Sequence, residues 1–136
     1  MSDPAVDGVE PLLSAARLAI ERAYAPYSGF RVGAALLADG RLVTGVNVEN
    51  ASYPLSMCAE RVALGAMVDA GLRRLEAVAI VTAAARPTPP CGACRQALWE
   101  FGERAIVVSE TTAGLRRTWA LAELLPDAFG PANLDR

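Results

Sequence analysis

The sequence contains no histidine and no lysine; all thirteen of its basic residues are arginine. Without an imidazole there is no Ser-His-Asp triad and no histidine base, and without lysine no Schiff-base nucleophile. Proton transfer is left to carboxylates, tyrosine, cysteine or a metal-activated water. No apolar run approaches the roughly 18 residues of a membrane-spanning helix. Basic residues cluster only at Arg73-Arg74 and Arg116-Arg117. With a net charge of −2 and a pI near 5.1, the chain lacks the cationic footprint of a protein that grips polynucleotide. The start, Met1-Ser2-Asp3-Pro4, lacks the basic and apolar regions of a secretory signal, so the expected compartment is the reducing cytoplasm.

What is present points to one domain over residues 1–136, with a loose arm over residues 1–9. The hydrophobic fraction of 53% and mean hydropathy of +0.27 are high for a chain of this length, which implies a buried subunit interface.

The three cysteines form a set. Cys91 and Cys94 are a C-x-x-C pair, which a helix places on one face. Cys58 stands alone upstream, with Glu60 two residues beyond it. Taken by itself the C-x-x-C is weak evidence: it reads as a redox pair, as half of a structural zinc site or as coincidence. The third cysteine argues against the first reading. The lack of any fourth cysteine or histidine argues against the second, since structural zinc takes four protein ligands. Three thiolates and one open position are the pattern of a catalytic zinc, with the fourth corner free for water. Glu60 is then the carboxylate placed to shuttle protons, although alone it reads as a solvated first-turn acid.

Periodicity and turn chemistry order the chain as α-β-β-α-β-α-β-β-α. A helix is expected over Pro11 to Tyr24, with Pro11 at its first position and Pro26 beyond its end. Strands are expected over Phe30 to Ala38 and Arg41 to Val48, joined at Asp39-Gly40. Residues Asn47 to Pro54 read as a polar loop. A second helix runs over Cys58 to Ala70, a buried strand over Leu75 to Ala83, and a third helix over Cys91 to Phe101. Strands over Ala105 to Ser109 and Leu115 to Ala120 and a short helix over Leu121 to Leu125 complete the list. The natural packing is an α/β fold, a three-layer α-β-α arrangement with one mixed five-stranded sheet covered by helices. Both cysteine segments open helices, whose N-terminal dipoles favour thiolates. Tyr24, Tyr27 and Trp99 read as packing residues.

Cys58-x-Glu60 followed by Pro90-Cys91-x-x-Cys94 matches the zinc base-deaminase signature in its all-cysteine form. Together with Asn47-Val48-Glu49-Asn50-Ala51-Ser52-Tyr53-Pro54 and Tyr27-Ser28-Gly29-Phe30-Arg31-Val32-Gly33-Ala34-Ala35, the sequence closely resembles the small homotetrameric cytidine deaminases from about Tyr24 to Phe129. The resemblance implies one Zn²⁺ per subunit on Cys58, Cys91 and Cys94. It implies that Glu60 carries protons from water to N3 of a cytosine ring and then to the departing amine. Asn47 and Glu49 are expected to bind ribose hydroxyls, the Ala59 N–H to contact the base, and Phe30 to line the pocket. Ala51, Tyr53 and Phe129 match residues that reach a neighbouring subunit's site, which makes the active site shared within a homotetramer. Arg61 matches an arginine that offsets thiolate charge, and Arg95 is a weaker candidate for the same work. The implied role is pyrimidine salvage on free nucleosides, with no nucleic-acid or membrane partner. Two other readings stand beside it: a deaminase of another cytosine-bearing molecule such as the antibiotic blasticidin S, and a non-catalytic zinc-stabilised interaction protein.

Overall fold

Asp39 and Gly40 reverse the chain in the first hairpin, both at positive φ (49° and 75°). A two-residue turn of that hand matches the twist of the strands it joins, and Asp-Gly is the pair that tolerates it. In the computed structural model, which describes residues 8–134, this hairpin joins β1 (Val32–Ala38) to β2 (Arg41–Val46), paired from Ala38↔Arg41 to Gly33↔Val46. Strand β3 (Leu75–Thr82) lies antiparallel to β1 on its other side. Strand β4 (Ile106–Thr111) runs parallel to β3, and β5 (Arg116–Ala120) closes the sheet antiparallel to β4. The order is β2-β1-β3-β4-β5, the mixed five-stranded sheet expected from the sequence.

Helices cover both faces. Helix α1 (Val9–Ala19) buries Leu12, Leu13 and Ala16 against Ala35, Ala79, Val81 and Val108. On the opposite face α2 (Ala59–Asp69), α3 (Gly92–Trp99) and the short α4 (Leu121–Leu124) pack Met67, Leu98 and Leu121 against Leu36, Val78, Ile80 and Val107. Strand β3 is buried along nearly its whole length, as a central strand covered on both faces must be. Two glycines set how closely the layers approach. A Cβ on Gly33 would sit 2.8 Å from the Ile20 nitrogen, on the α1 side, and one on Gly45 would sit 2.6 Å from the Ala59 carbonyl, on the α2 side. Both separations are shorter than any real packing contact, so backbone lies directly on backbone at these points.

The differences from expectation are at element ends. Helix α1 begins at Val9 rather than Pro11 and gives way at Ile20 to a 3-10 turn (Ile20–Arg22). Most of the expected N-terminal arm, residues 1–7, lies outside the described residues, and Val9 itself is buried helix. Strand β1 starts at Val32, because Phe30 and Arg31 belong to a loop fastened by side chains rather than by the ladder. Strand β4 runs on to Thr111, beyond Ser109. Among the described residues no helix is long and apolar enough to cross a membrane.

Candidate active site

Helices α2 and α3 start at the same end of the sheet, where β3 finishes and β1 begins. Cys58 is the N-cap of α2, with Ala59 and Glu60 the next two residues; Cys91 is the N-cap of α3, with Cys94 in its first turn. Neither helix start has a side-chain cap, so the positive end of each dipole is turned on the thiols. The three Sγ atoms lie within 4.8 Å of one another, and Cys58 and Cys91 are 3.8 Å apart. Tetrahedral zinc with S–Zn bonds of about 2.3 Å requires ligand sulfurs about 3.8 Å apart. The donor set therefore fits one zinc ion with little rearrangement. The sequence offers no fourth cysteine and no histidine to close the shell.

The electrostatics suit a cation. A hydrogen bond from Cys94, and after it one from Arg61, hold the Cys58 thiol down at about 5 despite partial burial. Cys94 is displaced upward, by its bond to Cys58 and by burial. In the metal-free chain Cys58 thus ionises at the expense of Cys94, and a metal binding there displaces thiol protons. Arg61 Nη2 lies 3.5 Å from Cys58 Sγ, and that contact raises the guanidinium further above neutrality. Glu60 is buried, and burial first, with the Cys58 thiolate adding to it, pushes its carboxyl up to about 7.

Cys58, Cys91 and Glu60 open onto a cleft of about 270 Å³ that Phe30, Asn47, Glu49 and Ala59 also line. Asn47 Oδ1 accepts the Val32 N–H at 2.8 Å, and its Nδ2 donates to the Phe30 carbonyl at 2.8 Å, which fixes the amide's orientation. Glu49 Oε1 accepts the Tyr27 and Ser28 N–H groups at 3.0 and 3.1 Å, and Oε2 accepts the Ser28 hydroxyl. The Ser28 hydroxyl, then its N–H, hold the Glu49 carboxyl below its ordinary range.

Residues 8–110 match the family model described as the cytidine and deoxycytidylate deaminase zinc-binding region. The chain belongs to this deaminase family. It is 45% identical over 127 residues to a cytidine deaminase of Halalkalibacterium halodurans, covering 91% of this chain and 96% of that one. It is 47% identical over 115 residues to a cytidine deaminase of Mycobacterium tuberculosis, covering 84% of each. The crystal structure of cytidine deaminase from Burkholderia pseudomallei superposes with a TM-score of 0.84 at 49% identity, covering 88% of this chain and 97% of that one.

Not every residue expected from the deaminase resemblance meets in this cleft. Ala51, Tyr53 and Phe129 are exposed, and none of them lines it. Tyr53, 71% exposed, touches Tyr27 edge-on with ring centroids 6.0 Å apart. Phe129 is held at its carbonyl by Gln96 Nε2, 2.8 Å away, with its ring 57% exposed. Tyr24 and Tyr27 are half-exposed, not packed inside the chain. Arg95 does not face the thiols through its hydrogen bonds: Nε donates to the Pro90 carbonyl at 2.8 Å and Nη1 to that of Leu124 at 2.9 Å. It braces the turn into α3 against the end of α4, and Arg61 alone of the pair bonds a sulfur. Sequence reasoning missed Thr88 and Pro89, which form a wall of the cleft. Thr88 is held by the buried Thr82 hydroxyl at 3.0 Å, a pairing of residues six apart for which the sequence carries no signal.

Proposed function

We propose that the protein hydrolyses the amino group of cytidine and deoxycytidine, giving uridine or deoxyuridine and ammonia. The observation that carries this reading is that Cys58, Cys91 and the buried Glu60 carboxyl open onto one small cleft, with Cys94 completing the thiol cluster beside them. The naming of the related deaminases supports cytidine as the substrate.

Cys58, Cys91 and Cys94 hold the zinc, which when bound supplies the Lewis acidity that brings water's pKa towards neutrality. Glu60 takes a proton from the attacking water and delivers it to N3 of the ring. Once the water oxygen has added to C4, the Glu60 carboxylate takes the second proton, from the new C4 hydroxyl, and passes it to the amine; the C4–N bond breaks as the C4 carbonyl forms, and ammonia leaves. One group serves both steps because they are sequential, and burial, which raises the Glu60 carboxyl, makes it a better base than an exposed acid. Arg61 offsets the negative charge that three thiolates leave on the site. The Ala59 N–H, at the open start of α2, meets the base, and Phe30 flanks it. Asn47 and Glu49 read the ribose; a base without the sugar leaves their remaining hydrogen-bonding positions unfilled, which favours a nucleoside over free cytosine.

We infer a homotetramer with shared sites. The cleft falls just below the roughly 300 Å³ at which small-molecule sites begin. Exposed Tyr27, Tyr53, Leu55, Met57 and Phe129 are apolar area suited to meeting other copies. Ala51, Tyr53 and Phe129 then complete a neighbour's pocket. The single domain works in the cytoplasm, in pyrimidine salvage. The test is to follow cytidine and deoxycytidine by ultraviolet absorbance with the zinc-loaded protein while measuring ammonia. Stoichiometric ammonia and uridine are expected; no turnover of either nucleoside by a zinc-loaded oligomer contradicts the reading.

A further inference from the structure

Ser28 does not line the cleft, yet it is wired to two residues that do. Its hydroxyl accepts the Phe30 N–H at 2.9 Å and donates its single proton to Glu49 Oε2. Its own N–H joins that of Tyr27 on Glu49 Oε1. An ionised carboxylate has about four acceptor positions, two on each oxygen. Oε1 has both filled by backbone donors, and Oε2 has one filled by Ser28. A single acceptor position is left, on Oε2, and Ser28 decides which way it points. The far side of the same loop is tied down by Asn47, whose amide grips the Phe30 carbonyl and the Val32 N–H. Phe30 is thus held at N–H by Ser28 and at carbonyl by Asn47, and Glu49 and Asn47 are linked through that peptide.

We propose that Ser28 is a positioning residue for sugar recognition: it fixes the one free acceptor of Glu49 so that the enzyme discriminates nucleosides by their ribose hydroxyl. This rests on the reading that Glu49 binds the ribose. Without the hydroxyl, Oε2 has two open positions and no partner to hold it, so the carboxylate, still anchored at Oε1, swings about that anchor or takes up water at Oε2. The cost falls on substrates that present a hydroxyl to Glu49 and spares those that do not. Chemistry at the thiol end, carried by Glu60, is not part of this chain of bonds.

The test compares cytidine with 2′,3′-dideoxycytidine in zinc-loaded wild type, Ser28→Ala, Ser28→Thr and Glu49→Gln, with zinc content, oligomer size and thermal unfolding measured on each. Ser28→Ala should raise KM for cytidine about tenfold with little change in kcat, the expected loss for one hydrogen bond to a charged group. The dideoxy substrate's kcat/KM should hold within about twofold, so discrimination narrows. Ser28→Thr, which keeps the hydroxyl, should restore most of it. An equal loss on both substrates would make Ser28 merely structural and overturn the proposal. Narrowing by Glu49→Gln but not by Ser28→Ala would overturn it while leaving ribose recognition by Glu49 intact. Unchanged discrimination in Glu49→Gln would overturn the ribose reading underneath. If Ser28→Ala does not fold, Ser28→Cys takes its place, since a thiol is a much weaker donor and must show the same narrowing.

Discussion

Glu60 and Glu110 are both buried carboxyls, and their neighbours move them in opposite directions. Burial pushes Glu60 up, and the anionic thiol of Cys58 adds to it. Burial would raise Glu110 too, but hydrogen bonds from Arg116 and Arg17 outweigh it and hold the carboxyl down. Arg17 Nη2 lies 2.7 Å from Glu110 Oε1, and Arg116 Nη2 lies 2.8 Å from Oε2 and 2.6 Å from Glu10. A carboxyl whose folded pKa is depressed contributes stability that is complete above its unfolded value and is lost as pH falls through the folded one. Thermal stability should therefore decline on acidification below about pH 4.5, near the unfolded glutamate value. Arg116→Ala should lower stability at neutral pH by about 1–2 kcal/mol, and flatten the acid limb, because a buried charge loses one of its two partners. Acid unfolding curves of both proteins check this; parallel curves would show that the pair is a surface contact of no energetic weight.

At the scale of elements, the helix starts are what build the site, and the glycines under them are what let the helices come close enough. Gly45→Ala would drive a methyl into the backbone of α2 at Ala59 and Ala63. Because α2 begins with Cys58 and carries Glu60, zinc affinity and kcat should both fall, along with a stability loss of about 2–3 kcal/mol. Gly33→Ala collides instead with α1 at Ala16 and with the 3-10 turn after it at Ile20, neither of which carries a site residue. It should cost similar stability while leaving zinc content of the folded fraction near one per chain; unfolding scans with metal analysis separate the two. Much of this layer was legible in the sequence. Asp39-Gly40 is a turn with one mechanism, the covered strand Leu75–Thr82 reads as apolar from Ala77 to Val81, and the thiols, Glu60 and their helix starts follow from spacing and dipoles. What was not legible depends on partners far apart in the chain. Ser28 reaches Glu49, Arg95 reaches Leu124 and Arg17 reaches Glu110, and no local pattern marks such pairs. The start of α1 was misplaced because Pro11 is tolerated throughout a first turn, so it cannot fix which residue comes first.

At the scale of the whole molecule, the residues named for binding the substrate divide into two groups. Asn47 and Glu49 line the chain's own cleft, whereas Ala51, Tyr53 and Phe129 stand outside it. The shared-site tetramer proposed above accounts for that division, and the proposal has a consequence that no single-chain site has. Glu60→Gln and Phe129→Ala, each inactive or nearly so alone, should regain activity when co-expressed, because some mixed sites draw Glu60 from one chain and Phe129 from another. Activity of the purified mixed oligomer measures it, and a mixture no better than the sum of its parts would contradict shared sites. The whole account turns on Glu60 as the proton carrier beside a zinc held by three thiols. The most direct measurement is therefore steady-state cytidine turnover by Glu60→Gln carrying a full complement of zinc. The account predicts zinc content equal to wild type with kcat lower by about 10²–10⁴-fold, the range for loss of a general acid–base. Near-wild-type turnover by the zinc-loaded variant would contradict it.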